Sequence, residues 1–285
     1  MINKLPVGRT IIDAYGFTFG QLGTIIGLIW FPMVISALLS FLPEIAGAAG
    51  EAGSPNAGTS AIEGLALMLL SFLLLAIMFA AVTRQALGLR QGPATFHFAL
   101  GQPEFRVYGA LLLLYFLVII AAVVVVVAQN VGGPAGLIAR VAGMPAMLLI
   151  LYAVIRLGFL VVPAIVVENR VDFARVWSLT GGNFWRIFLV ILGIAVPLWL
   201  VDIVSIFALM GREIMAALPP PGTADPQVIQ KHLTDLYEIF GRHNPELMGI
   251  YLILAPFTVG LFMSASASAY RALAGPAQAR REMTV

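Results

Sequence analysis

The sequence predicts an all-α polytopic membrane protein: six transmembrane helices arranged as three parallel repeats of an interfacial helix plus a transmembrane hairpin. Three observations predict it. Apolar residues make up 60% of the 285-residue chain and charged residues 11%, against about 25% charged in soluble domains. Too little polar surface is left to face water all round, and lipid is the solvent that tolerates such a chain. Six stretches, 20–43, 62–87, 107–130, 142–167, 186–210 and 247–272, hold the roughly 20 mainly apolar residues needed to cross hydrocarbon. A pattern centred on glycine turns also recurs at nearly constant spacing.

Taken in order, the first stretch is read as a retained span. Lys4 and Arg9 precede a mixed segment, and no small-residue cleavage site behind the apolar run outcompetes spanning. The segment 44–61 is a loop rich in Gly, Ala and Ser, without Lys or Arg. Pro32, Pro145, Pro163, Pro197 and Pro256 fall inside spans and mark kinks, because neighbouring helices re-satisfy the freed carbonyls. The longest loop, 211–246, carries a helix start at Asp225-Pro226, followed by Val228, Leu233, Leu236, Ile239 and Phe240 on one apolar face.

Internal repetition organises the whole length as a single membrane domain, 1–285, with units at about 8–90, 91–168 and 169–275. TIIDAYGFTFGQLGTIIGLIW (10–30), TFHFALGQPEFRVYGALLLLY (95–115) and FARVWSLTGGNFWRIFLVIL (173–192) each run from a short amphipathic stretch through a glycine turn into a span. The glycines recur from 20 to 101 and from 101 to 181. The returning spans match too: AAVTRQALG, YAVIRLGF and SAYRALAG place Arg84, Arg156 and Arg271. Two spans per unit keep every copy in one orientation, unlike inverted repeats. The glycine turns are expected to pivot an in-plane helix into a crossing one, with Tyr15, Phe17, Phe96, Phe98, Trp177 and Trp185 in the headgroup layer.

Lys and Arg set the orientation. Lys4, Arg9, Arg84, Arg90, Arg106, Arg170, Arg175, Arg186, Arg271, Arg280 and Arg281 fall on one side, and Arg140, Arg212, Lys231 and Arg242 on the other. The first side, with both termini, is therefore expected to be cytoplasmic.

The stretch RLGFLVVPAIVVENRVDFARVWSLTGGNFWRIF (156–188) is the most distinctive. Through Arg156, Pro163, Glu168, Ala174, Trp177, Leu179, Thr180, Gly182 and Trp185 it resembles the YciC-like bacterial membrane proteins. It also resembles the related membrane domain fused to some glycerophosphodiester phosphodiesterases. The order Trp177-Ser178 departs from that family, which more often places serine first. The resemblance implies a six-span fold in a bacterial inner membrane and little chemistry. No phosphodiesterase domain accompanies it here, so no enzymatic activity is carried over.

Composition and motifs narrow the function further. The net charge of +2 is no nucleic-acid footprint, and the absence of cysteine excludes disulfides and thiolate sites. Gly-x-Ser-x-Gly, His-Glu-x-x-His and phosphate-loop motifs are missing. His232, Asp235 and Glu238 share a helical face, but a solvated face explains them better than a metal. Ser264, Ser266 and Ser268 fit close helix packing better than catalysis. No cofactor and no metal are expected.

Ionisable residues inside spans are the default functional candidates, because they are expensive there. Arg156 lies in the inner half of its span. Asp202, the one intramembrane acid, lies in the outer half, roughly a dozen Å away in depth. Arg156 has two readings: a structural one, helix C-terminal capping or interhelix hydrogen bonding, and a functional one, with Arg84 and Arg271, as a lipid- or anion-binding site on a pseudo-threefold axis. Trp177, Thr180, Gly182, Asn183 and Trp185 form the interfacial motif beside it. The leading expectation is a non-enzymatic protein that handles membrane lipid, anionic phospholipid included, or organises a protein partner or further copies of itself. A small transporter or permease-like subunit is the runner-up, and an intramembrane enzyme ranks last.

Overall fold

A computed structural model describes residues 4–49, 57–90, 100–130, 133–219 and 225–275. Among these residues there are nine helices and no strand. They are α1 (Val7–Gly20), α2 (Leu22–Ala49), α3 (Ala57–Leu87), α4 (Gln102–Asn130), α5 (Gly133–Glu168), α6 (Phe173–Leu179), α7 (Phe184–Ala217), α8 (Pro226–Arg242) and α9 (Asn244–Ala274). Six of them (α2, α3, α4, α5, α7 and α9) are long and apolar enough to cross a membrane. The chain is an all-α, multi-pass integral membrane protein. Its spans fall where the apolar runs predict, although the helices extend further. In particular, α2 and α3 continue into the Ala-rich flanks of the segment expected to be a loop, in keeping with the high helix propensity of alanine.

Burial is concentrated at one end of the bundle. Buried apolar side chains come from the first half of α2 (Ile25, Leu28, Ile29), the last half of α3 (Ile77, Ala81, Val82), the start of α4 (Val107, Ala110), the end of α5 (Leu160, Val161, Ile165), the start of α7 (Ile187, Val190) and the end of α9 (Ala265, Ala269, Tyr270). These are the helix ends that share a side with the termini. The opposite halves expose apolar side chains such as Ile62, Val126, Leu149, Val204 and Ile253. Buried apolar side chains thus gather at the terminal end, and the other halves turn theirs outward. Hydrocarbon permits this, because exposed Leu or Val in lipid carries no hydrophobic penalty.

Helix α9 is the axis. One core, with α2, α3, α4 and α5, packs on Ala255, Val259 and Met263. A second, with α1, α5, α6 and α7, packs on Leu261, Ala265, Ala269 and Tyr270. The serine run allows this two-sided contact. Ser264 donates to the Ala14 carbonyl and Ser266 to the Phe159 carbonyl, so α1 and α5 flank α9 closely. Gly260 makes the crossing with the α1–α2 joint, where an added Cβ would meet Thr18 Cγ2 at 2.8 Å and Ile25 Cδ1 at 3.0 Å.

The first joint is a break in the helical ladder. Gln21, with φ −123° and ψ 22°, separates α1 from α2. Its N–H closes α1 on the Phe17 carbonyl and its own carbonyl accepts the first bond of α2 from Ile25 N, both 2.9 Å. Among the described residues the left-handed glycines are Gly88, Gly182 and Gly275. The third unit turns at Gly182 with φ 68°. Helix α1 packs lengthwise against α7 and α9, burying Thr10, Ala14 and Thr18 at i, i+4, i+8 spacing. The amphipathic stretch expected in the second unit lies almost wholly outside the described residues.

Gly260→Leu is expected to destabilise the bundle by about 1–3 kcal/mol through overpacking, read as a lower melting temperature in mild detergent. An unchanged melting temperature would mean that α1 does not seat on α9.

Candidate functional site

Helix α6 is only about two turns long, and its ends need outside partners. Asp172 caps its start, accepting from Arg175 N at 2.8 Å. Its last carbonyls are met by a side chain from α5. Arg156 Nη2 donates to the Trp177 carbonyl at 2.7 Å, Nε to Thr180 Oγ1 at 3.1 Å and Nη1 to the Tyr152 hydroxyl at 2.9 Å. The guanidinium also lies 3.8 Å from the Trp177 ring centroid. A cation at a helix C-terminus and over an indole face is favoured twice. Arg156 is 7% exposed, and these contacts hold α5 to the turn between α6 and α7. Of its two predicted readings, this geometry is the capping one.

The rest of the interfacial motif completes that turn. Gly182 supplies the positive φ. Asn183 accepts from Leu5 N at 3.0 Å, and Arg186 donates to the Leu5 carbonyl at 3.0 Å, so the N-terminal strand of chain is pinned to the same joint. Trp185 is 71% exposed and makes edge contacts with Phe184 and Phe188, as suits a headgroup-layer aromatic.

Two buried carboxylates, which composition does not single out, tie neighbouring helices. Glu168 accepts from the Tyr270 hydroxyl at 2.9 Å and pairs with Arg170 and Arg175 at 3.3 and 3.5 Å, linking α5, α6 and α9. Glu104 pairs with Arg84 at 2.6 Å and accepts from Gly101 N at 3.1 Å, linking α4 to α3. The helix-start position of Glu104 is the one signal that could have found it.

Arg271 has a different setting. Its Nη2 donates to the Ala86 carbonyl at 2.6 Å, meeting an open carbonyl in the last turn of α3. It also lines a cleft of about 570 Å³ between α1, α3 and α9, together with Arg9, Thr10, Asp13, Phe17, Ser264 and Ser268. Arg9 and Asp13 are 3.8 Å apart, and Ser268 donates to Asp13 at 3.4 Å. Two guanidinium groups, one carboxylate and three hydroxyls therefore surround a cleft whose wall includes the Phe17 ring. Among the described residues Arg84, Arg156 and Arg271 share no partner, and of the cavities described only this one includes one of the three. No family model, curated protein or solved structure matches the chain.

Asp202 is half-buried midway along α7 and has no hydrogen-bond or ionic partner among the described residues. Ser205, nearby on the same helix, donates to the Val201 carbonyl at 2.8 Å. A second cavity, about 280 Å³, lies at midspan among Phe79, Ile155, Phe159, Ile191, Phe262 and Met263, and its lining is almost entirely apolar.

Arg156→Lys is expected to cost stability although it keeps the charge, because an ammonium reproduces neither the three-way fork nor the planar stack. Loss of charged hydrogen bonds of this kind amounts to about 1.5–3 kcal/mol. Denaturant titration in detergent micelles checks it, with Trp177 emission as reporter; a wild-type midpoint would show that the fork holds nothing.

Proposed function

We propose that this protein is a non-enzymatic lipid-binding protein of a bacterial inner membrane, with both termini cytoplasmic, that seats an anionic phospholipid headgroup in the cleft between α1, α3 and α9. The observation that carries the reading is the pairing of Arg9 and Arg271 across a cleft at the packed end of the bundle. That end is where eleven of the sixteen Lys and Arg residues collect by the predicted topology. Arg271 would contact the phosphate while its Ala86 bond fixes its direction. Arg9 adds a second donor from α1, Ser264 and Ser268 offer hydroxyls, and Phe17 lies beside the first carbons of the chains. Asp13 leaves the cleft one net positive charge, which suits a singly charged headgroup.

This reading shifts the weight from three arginines to one of them plus Arg9. Arg156 and Arg84 keep structural roles. The resemblance of 156–188 to the YciC-like proteins supports the same general class and supplies no substrate. The runner-up, a small transporter or permease-like subunit, needs a path for a polar solute, whereas the apolar lining of the midspan cavity suits an acyl chain better. Partner proteins and self-association remain compatible with lipid binding.

Each guanidinium at a lipid surface contributes about 1 kcal/mol, roughly a fivefold change in affinity. Arg9→Ala and Arg271→Ala are therefore each expected to lower retention of phosphatidylglycerol about fivefold in native mass spectrometry, with phosphatidylcholine unaffected. Arg156→Lys, assayed below its melting temperature, is expected to retain the lipid. Equal retention by all three variants would end the proposal.

A further inference from the structure

Helix α8 has more apolar surface than the protein covers. Its formation is local: Pro226 stands at the first helical position, Asp225 accepts from Gln227 N at 2.9 Å, and the ladder runs to His243 N on Ile239 O at 3.2 Å. Leu236 and Ile239 pack into a small core with Met210, Ile214, Ala217 and Leu247 from the ends of α7 and α9. That accounts for one face. A second apolar stripe, Ile229, Leu233, Tyr237 and Phe240, runs beside it at i, i+4, i+8 and i+11. These side chains are 38, 60, 81 and 40% exposed. The first three flank a shallow open groove that also includes Gln230 and Thr234. The remaining arc is polar, with Gln227, Lys231, Glu238 and Arg242.

The position of the stripe says what meets it. Helix α8 joins the fifth and sixth spans, so it lies on the membrane face opposite the N-terminus. One residue, His243, separates it from α9, and the apolar run of α9 begins at Leu247. Glu213 on α7 holds that corner, 3.2 Å from Arg242 and 3.1 Å from His243. The helix cannot swing far from the ends of the two spans. Their own exposed apolar side chains, Phe207 and Met215 on α7 and Tyr251 and Ile253 on α9, run up to the same corner. The stripe on α8 thus continues the lipid-facing band. Charge gives no rival explanation. Lys231 and Arg242 are offset by Asp225, Asp235 and Glu238, so α8 has no cationic face for an anionic partner.

We propose that α8 lies in the membrane interface on the face opposite the termini, with Ile229, Leu233, Tyr237 and Phe240 in the boundary between headgroups and acyl chains and Lys231 and Glu238 in water. The attraction is apolar area, not charge. This assignment is independent of the phospholipid cleft, which lies at the other end of the bundle.

The chain contains no cysteine, so single spin labels can be placed in the full-length protein without a background substitution. Leu233→Cys and Tyr237→Cys report the stripe, Lys231→Cys and Glu238→Cys the polar arc, and Ile239→Cys the internal core. The labelled proteins are reconstituted into neutral phosphatidylcholine vesicles, and power saturation compares collisions with oxygen and with a water-soluble nickel chelate. Labels at 233 and 237 are expected to favour oxygen at least several-fold over those at 231 and 238, and the label at 239 to meet neither reagent. Vesicles with a quarter phosphatidylglycerol are expected to give the same depths. Stripe labels as open to nickel as those at 231 and 238 would place the stripe in water and overturn the proposal. Stripe labels closed to both reagents would mean that a protein surface, a second copy included, covers it, and would overturn it equally. Depth appearing only in anionic vesicles would contradict the apolar basis. Elution of each variant at the wild-type position, with the 239 label still buried, shows that α8 is folded in the protein measured.

Discussion

Hydrocarbon offers no water to an open helix end, and the packed end of this protein is organised by that constraint. Each break in a helix near the membrane leaves carbonyl or amide groups that the chain must meet itself. Arg156 meets the end of α6, Arg271 a carbonyl in the last turn of α3, Asp172 the start of α6, and Glu104 the backbone just before α4. With 11% charged residues the chain has few such groups, and it gathers them where the helices stop. The same side chains bind neighbouring helices together, so closing the backbone and fastening the bundle are one act.

From this follows the asymmetry of the fold. Two apolar cores grip α9 at the terminal end, and the opposite halves of α4, α5 and α7 are left to lipid. Polar closures cannot be made deep in hydrocarbon at low cost, and the kink in α7 at Met210, with φ −130° and ψ 15°, falls near the outer end of the span. Where the chain must turn again, between α7 and α9, a separate small core around Met210, Ala217 and Ile239 performs the task, and the Glu213 corner fastens it. Function fits this division. The guanidinium that faces a cleft as well as a carbonyl is Arg271, and α1 brings a second one beside it.

What was legible in the sequence had local causes. Apolar runs of span length announced six helices, and Asp225-Pro226 announced α8 to the residue. Arg156 was visible as an outlier in a span, with capping already one of its two readings. The rest depends on contacts between distant parts of the chain. The cleft exists because α1 docks on α9, through Ser264 to Ala14 and Ser268 to Asp13, some 250 residues apart. No periodicity carries that information. The break after Gly20 was legible as a glycine turn beside aromatics, and Gln21 is the residue that leaves the helical conformation there. Glu104 was hidden among ordinary loop acids, and Glu168 was marked only as part of the 156–188 resemblance, since burial of a carboxylate is decided by the arginine that reaches it.

The packed end depends most heavily on Arg156 held over the Trp177 ring rather than standing as a solitary cation. A double-mutant cycle addresses it directly, pairing Arg156→Met with Trp177→Leu and reading unfolding free energies in bilayers. The account predicts a coupling of about 1 kcal/mol or more, in the range found for residues that share a contact. Strict additivity of the two substitutions would contradict it.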